Sequence, residues 1–185
     1  MQRSEIISDH QEAVDRRSSL AETVRMMLRY KAWADGFVFD NITRIPEEET
    51  YARRQSTFPS IVQTLNHVYV VDDIFRHHLQ GLRHAYQARV TPETPVLSEL
   101  RDAVRAMDTW YIDSFDAWSD EDLDSRVEFE FVGGGSGSMT RGEIALHIVN
   151  HTTYHRGFVG DMLRQVPFTW PANDLTVFLR DHYRR

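Results

Sequence analysis

The sequence predicts an all-α fold, a four-helix bundle with a short hairpin or loop before the fourth helix and a short C-terminal helix. Three observations predict it. Stretches from about Leu20 to Ile42, Ser60 to Gly81 and Leu97 to Trp118 carry apolar residues at steps of three and four, the period that lines one face of an α-helix. A fourth stretch, Thr140 to Gln165, opens on a capping pair and bears His147, His151 and His155 four residues apart. No internal repeat or second core is visible, and four amphipathic helices bury their stripes most simply against one another.

Residues 1–17 are polar and weakly periodic, and are read as a mobile N-terminal arm ahead of a single helical domain over 18–185. His10 falls in that arm and is assigned no role. Ser19 with Glu22 forms a capping box for the first helix, whose stripe is Leu20, Val24, Met27, Leu28, Ala34, Phe37 and Val38, with Tyr30 and Trp33 beside it. This helix stops before Pro46, after which Glu47 to Thr50 reads as a polar linker and Tyr51 to Thr57 as a loop. Ser60 and Gln63 form a second capping box. The helix they open carries Ile61, Leu65, Val68, Val71, Phe75 and Leu79, is apolar over most of its circumference near Val68 to Val71, and stops at Gly81. Residues 82–96, with Pro92 and Pro95, form a connection. The third helix has the cleanest stripe, Leu97, Leu100, Val104, Met107, Tyr111, Phe115 and Trp118, and is read as a bundle-packing face. Val127, Phe129 and Phe131 alternate with charged residues, a strand signal followed by a glycine-rich turn at Gly133 to Gly137. Thr140 and Glu143 make a third capping box. In the fourth helix Ile144, Ala145, Ile148, Thr152, Val159, Met162 and Leu163 mark the buried side, and His155 falls on it. Asp174 to Tyr183 is a short final helix.

Composition limits the chemistry. The chain has 185 residues, no cysteine and a formal charge of −7 with its basic residues scattered. Cysteine nucleophiles, disulfides and zinc–thiolate sites are excluded, so a metal must be held by His, Asp or Glu, and a thiol must arrive with a substrate or cofactor. Nucleic acid is not an expected partner, because phosphate contacts need clustered Lys and Arg. With no signal-like segment and no run approaching ~20 apolar residues, no membrane partner is expected and a cytoplasmic location is inferred.

Histidine spacing points to a metal. His147 and His155 are two turns, roughly 12 Å, apart, so one ion takes either His147 with His151 or His151 with His155. His67, set among apolar residues in mid-helix, is the best candidate for a third ligand. Three imidazoles leave an open coordination position, the layout of a catalytic rather than a structural zinc site, and imidazole also suits nickel, iron and copper. The competing reading is a metal-free bundle whose histidines are packed and hydrogen-bonded. His77, His78, His84 and His182 read as surface residues. Asp72, Asp73 and Glu143 are candidates to support the ligands, although Glu143 is already used by its cap and Asp72 is expected to face solvent or anchor a loop.

Three segments, Leu28 to Asp35 (LRYKAWAD), Ser60 to Phe75 (SIVQTLNHVYVVDDIF) and Asn150 to Gly157 (NHTTYHRG), resemble the DinB superfamily, which includes the YfiT-like proteins classed as metal-dependent hydrolases. They are similar to its Tyr-x-x-Trp-Ala pattern, to its second helix with His followed by Asp and an aromatic, and to its His-x-x-x-His-Arg-Gly signature. The resemblance implies an up-down-down-up four-helix bundle, a homodimer, and metal ligands at His67, His151 and His155, with His147 left as a neighbour. Phe158 departs from the Gln that commonly follows Arg-Gly.

Characterised members of the resembled family include thiol-dependent transferases and isomerases. The first expectation is therefore an enzyme in which a divalent metal, zinc or nickel, activates a low-molecular-weight thiol for transfer to, or isomerisation of, a small electrophilic substrate. The alternatives are hydrolysis by a metal-bound hydroxide, for which no well-placed general base is visible, and a non-catalytic metal-binding stress-response module.

Overall fold

The computed structural model describes residues 20–184. The arm expected over residues 1–17, and Ser19 of the first capping box, lie outside them. The first helix, α1, runs Leu20–Ile42 and buries Ala21, Val24, Leu28, Ala34, Val38 and Ile42 as its periodicity requires. Glu47–Tyr51 is not a linker but a one-turn helix, α2. Pro46 supplies a fixed φ just before it, and Glu47, Glu48 and Glu49 place negative charge at its N-terminus, where the exposed N–H dipoles favour it.

Helix α3 is Ile61–Leu79. Ser60 caps it by accepting from the Gln63 amide at 3.2 Å, but the box is half made, because Gln63 Nε2 turns to Thr94 Oγ1 at 3.4 Å. The helix ends in a Schellman turn: Leu82 N–H donates to His77 O at 2.8 Å, Gly81 N–H donates to His78 O at 3.0 Å, and Gly81 takes φ +68°. Helix α4 is Leu97–Ala117, and Arg25 of α1 satisfies its last carbonyls, donating to Phe115 O and Trp118 O at 2.9 and 2.7 Å. A short helix, α5 (Asp120–Asp124), leads into an antiparallel hairpin of β1 (Arg126–Glu130) and β2 (Ser136–Thr140), paired with Phe129 opposite Gly137. A Cβ at Gly137 would lie 2.6 Å from the Phe129 ring, so glycine is what lets that ring fold across the strand. Thr140 then caps α6 (Arg141–Leu163) through a complete capping box with Glu143. Asp174 caps α7 (Leu175–Phe178), which runs on into a π-helical turn at Leu179–Tyr183.

The described residues are thus mostly helical, with one small two-stranded sheet. Helix α1 packs along α4 and α6, and α3 packs along α6 and α4, while the hairpin rests on α3 and α6. The core has two apolar halves. One gathers Val24, Leu28, Tyr111, Phe115, Ile144 and Ile148, and the other Val38, Ile42, Ile61, Val104, Val159 and Met162. In sequence, His67 on α3, Thr152 and His155 on α6 and Asp35 on α1 are buried polar side chains between the two halves, whereas Lys31, Asp72 and Asp108 lie among residues of the first. None of the described helices is long and apolar enough to cross a membrane.

Asp72 neither faces solvent nor anchors a loop. It is 1 % exposed and pairs with Lys31 at 2.8 Å. Lys31, equally buried, also binds Asp35 at 2.8 Å and Asp108 at 2.6 Å, so one ammonium joins α1, α3 and α4. Position 72 falls on the period of the α3 stripe, four residues after Val68 and three before Phe75, so the helix carries it inward, and only packing could reveal its partner on α1.

Candidate metal centre

Helix periodicity brings His151 and His155 to one face of α6, and α3 lies along that helix. The packing sets His67 against both: ring centroids are 4.9 Å from His151, 4.6 Å from His155, and 4.5 Å between the latter two. Each of the three offers a nitrogen within 4.8 Å of the others. His147 stays outside, one turn away with its ring 5.7 Å from His151 and 4.9 Å from Phe75. Of the two pairs the spacing allows, the structure gathers His151 with His155.

The His67 ring has a defined tautomer. Its Nδ1 lies 2.7 Å from the carbonyl oxygen of Arg89, which can only accept, so the ring proton sits on Nδ1 and Nε2 keeps its lone pair. That bare Nε2 stands 3.1 Å from Nε2 of His151. Two imidazole nitrogens each about 2.0–2.1 Å from a tetrahedral ion stand about 3.3 Å apart, so the pair is close to ligand spacing. A backbone carbonyl orienting the far nitrogen is the usual support for a metal-binding imidazole. His151 and His155 have none, for their Nδ1 atoms are buried without a hydrogen-bond partner.

Electrostatics keep the cluster neutral. Burial lowers the His67 pKa, and burial first, then the neighbouring imidazoles and Lys31, takes His151 down to about 3. Burial and His67 take His155 to about 4. Three uncharged imidazoles with converging lone pairs are a donor set for a divalent ion, and the residues present fit one.

Sequence reasoning missed three supports. Arg89 acts through its backbone, which no side-chain pattern reports. Asn66 accepts from Thr91 N at 3.0 Å and Thr91 Oγ1 at 3.1 Å, holding the 82–96 connection beside His67. Phe58 stacks on His67 with centroids 4.4 Å apart, closing one side of the cluster. The only signal was the Asn-His pair at 66–67, a buried polar dipeptide in an apolar helix. The acids proposed as ligand supports do other work. Asp72 binds Lys31, Asp73 accepts from Arg76 and Tyr86, and Glu143 caps α6. His77, His78 and His84 are half-buried rather than on the surface, with His78 stacked on Phe129 at 5.0 Å and meeting His84 edge-to-face at 5.3 Å. The hairpin that covers them was only one of two forms expected for that segment. His182 is exposed, as read.

A cavity of about 490 Å³ opens on the cluster, lined by His67, His151 and His147 and by apolar side chains including Val71, Phe75 and Phe131. Arg89 and Glu130 supply charges of both signs at its wall. Among the described residues the metal-competent group has three members and no fourth His, Asp or Glu.

The family model that matches this chain is that of the DinB family, over residues 16–184. Protein DinB of Bacillus subtilis (strain 168) is 29% identical over 159 residues, covering 83% of this chain and 91% of that protein. A crystal structure of a DinB-like protein from Bacillus cereus ATCC 10987 superimposes with a TM-score of 0.60 at 16% identity, covering 79% of this chain and 94% of that one, a likeness of fold.

Proposed function

The chain belongs to the DinB family, and from that premise we propose a divalent-metal-dependent enzyme whose ion is held by His67, His151 and His155. Bound there, zinc or nickel supplies Lewis acidity that activates the thiol of a small cofactor toward an electrophilic substrate. The observation that carries the reading is the cavity: two of the three imidazoles line it, and among the described residues no fourth protein ligand closes the group. An open site facing a cavity is the mark of catalytic rather than structural metal.

The chain's own residues do the rest. Arg89 fixes the His67 tautomer through its carbonyl while its side chain lines the cavity. Phe58 shields the cluster from water on one side. Val71, Phe75 and Phe131 give the substrate an apolar bed, suited to the carbon skeleton of a small molecule. The absence of cysteine fits a thiol that arrives with a cofactor. One core half joins the N-terminal parts of α1 and α6 to the C-terminal parts of α3 and α4, and the other half joins the opposite ends, which supports an up-down-down-up order of helices. Family resemblance adds a homodimer, which sedimentation velocity on the untagged chain tests.

The decisive experiment is elemental analysis of untagged protein prepared without chelator, beside His151→Ala. The expected result is about one equivalent of zinc or nickel, lost in the variant, followed by thiol transfer in a screen of low-molecular-weight thiols. Absence of metal in both, with no uptake on reconstitution, rejects the proposal. Turnover of ester or amide substrates, with every thiol assay flat, replaces transfer by hydrolysis.

A further inference from the structure

The helix that carries the histidines has a second polar face. At 100° per residue, Thr153, Arg156, Gly157, Gly160 and Arg164 lie on the side of α6 opposite His151 and His155. There a separate cavity of about 580 Å³ opens between α6, Tyr30 of α1 and the segment leading into α7. Gly157 and Gly160 leave that helix face without side chains.

Arg156 is 7 % exposed and makes no ion pair among the described residues. Its Nη2 donates to the Tyr30 hydroxyl and, at 3.4 Å, to Thr153 Oγ1, and its guanidinium lies 5.1 Å over the Tyr30 ring. Its Nη1 is buried with no acceptor. Asn173, which borders the same cavity, has its Nδ2 buried with no acceptor either. A buried guanidinium without a counter-ion is expensive, as are two buried donors left unmade. Their common complement is an acceptor with negative charge, and the planar fork of arginine matches a carboxylate. Asp161 and Asp174 also border the cavity. Asp174 is committed to its cap, accepting from Val177 N at 3.1 Å and Thr176 Oγ1 at 2.7 Å. With Asp161 and Asp174 set against Arg156 and Arg164, the wall carries no net positive charge, which suits a single carboxylate better than a multiply charged phosphate.

We propose that this cavity binds a small molecule bearing one carboxylate, which accepts from Arg156 Nη1 and Asn173 Nδ2 while Trp170 covers its apolar part. Both donors lie beneath the cavity surface, so admission requires the 165–173 segment, which has neither helix nor strand, to move aside. The site faces away from the histidines and is independent of the metal-dependent reaction proposed above.

Calorimetric titration of the full chain tests it, with benzoate, phenylalanine and inorganic phosphate as probes. Excess 1,10-phenanthroline is present throughout, to keep metal off the histidines. Binding of benzoate alone identifies a plain anion as the ligand class, and tighter binding of phenylalanine identifies a zwitterion whose ammonium meets Asp161. Either supports the site if Asn173→Ala and Arg156→Lys each weaken it about ten-fold, the effect of losing one hydrogen bond to a charged group. Should Arg156→Lys fail to fold, Asn173→Ala decides. No heat with either carboxylate, phosphate binding as tightly as both, or affinity unchanged in Asn173→Ala overturns the proposal.

Discussion

Lys31 shows how much a single buried side chain organises. Its ammonium holds Asp35, Asp72 and Asp108 from three helices, leaving more negative charge than it neutralises. Replacing it with methionine would strand three buried carboxyls, and breaking a buried ion pair from one side costs about 3–5 kcal/mol. Lys31→Met should lose stability on that scale in urea denaturation at neutral pH. Burial, opposed by Lys31, raises Asp72 from 3.8 to about 6 and Asp108 from 3.8 to about 7. Both folded-state values lie above the unfolded one, so the folded protein binds more protons over that interval. The stability these carboxyls contribute is full below the unfolded value and is lost as pH rises through the folded one, between about 4 and about 7. Asp108→Asn removes one of them and should gain on the wild type across that window, then hold level above it. Denaturation at several pH values checks this, and curves that stay parallel would reject it.

Two elements place the site, and each has a weak point that can be tested. Helix α6 starts where Thr140 Oγ1 accepts from Glu143 N at 3.1 Å and Glu143 Oε2 accepts from Thr140 N at 2.7 Å. Thr140→Ala should cost about 1 kcal/mol, the usual value of such a cap. Metal content should stay unchanged, because His151 and His155 lie turns further along. The hairpin rests on the cavity through Phe129, whose ring meets Phe75 at 5.4 Å and His78 at 5.0 Å. Gly137→Val would drive a side chain into that ring, and overpacking of this kind costs about 1–3 kcal/mol. Hydrogen exchange should accelerate across residues 126–140 while α1 and α4 keep their protection. At this scale the Thr140–Glu143 box, the Ser60 cap, the apolar periods and the Gly81 stop were legible, because each is a local rule. The one-turn helix at Glu47–Tyr51 was not, for five residues carry too little period to read.

For the molecule as a whole, the histidine cluster is a cross-link between α3 and α6. A ligand that binds only the folded state raises its stability by about 2.7 kcal/mol at a hundred times its dissociation constant. Zinc or nickel added to chelator-stripped protein should therefore raise the melting midpoint, and His67→Ala, which removes the α3 side of the link, should abolish the shift. An unchanged midpoint in the wild type would favour the packed, metal-free reading of the histidines.

By itself the sequence determined the four long helices, the caps at Ser60 and Thr140 and the pairing of His151 with a histidine one turn away, since all of these depend on residues within a few positions of each other. It also offered His67 as the best third member, and the family resemblance named His155 as the neighbour that His151 joins. Only the tertiary structure decided that the Arg89 carbonyl sets the His67 tautomer and that Phe58 covers its ring. It also decided that Lys31 draws three aspartates inward and that Arg156 is buried without a counter-ion among the described residues. Those facts join residues up to 126 positions apart. No local period encodes such a meeting, because it is the packing of whole helices, driven by burial of their apolar stripes, that chooses which polar side chains are carried inside together.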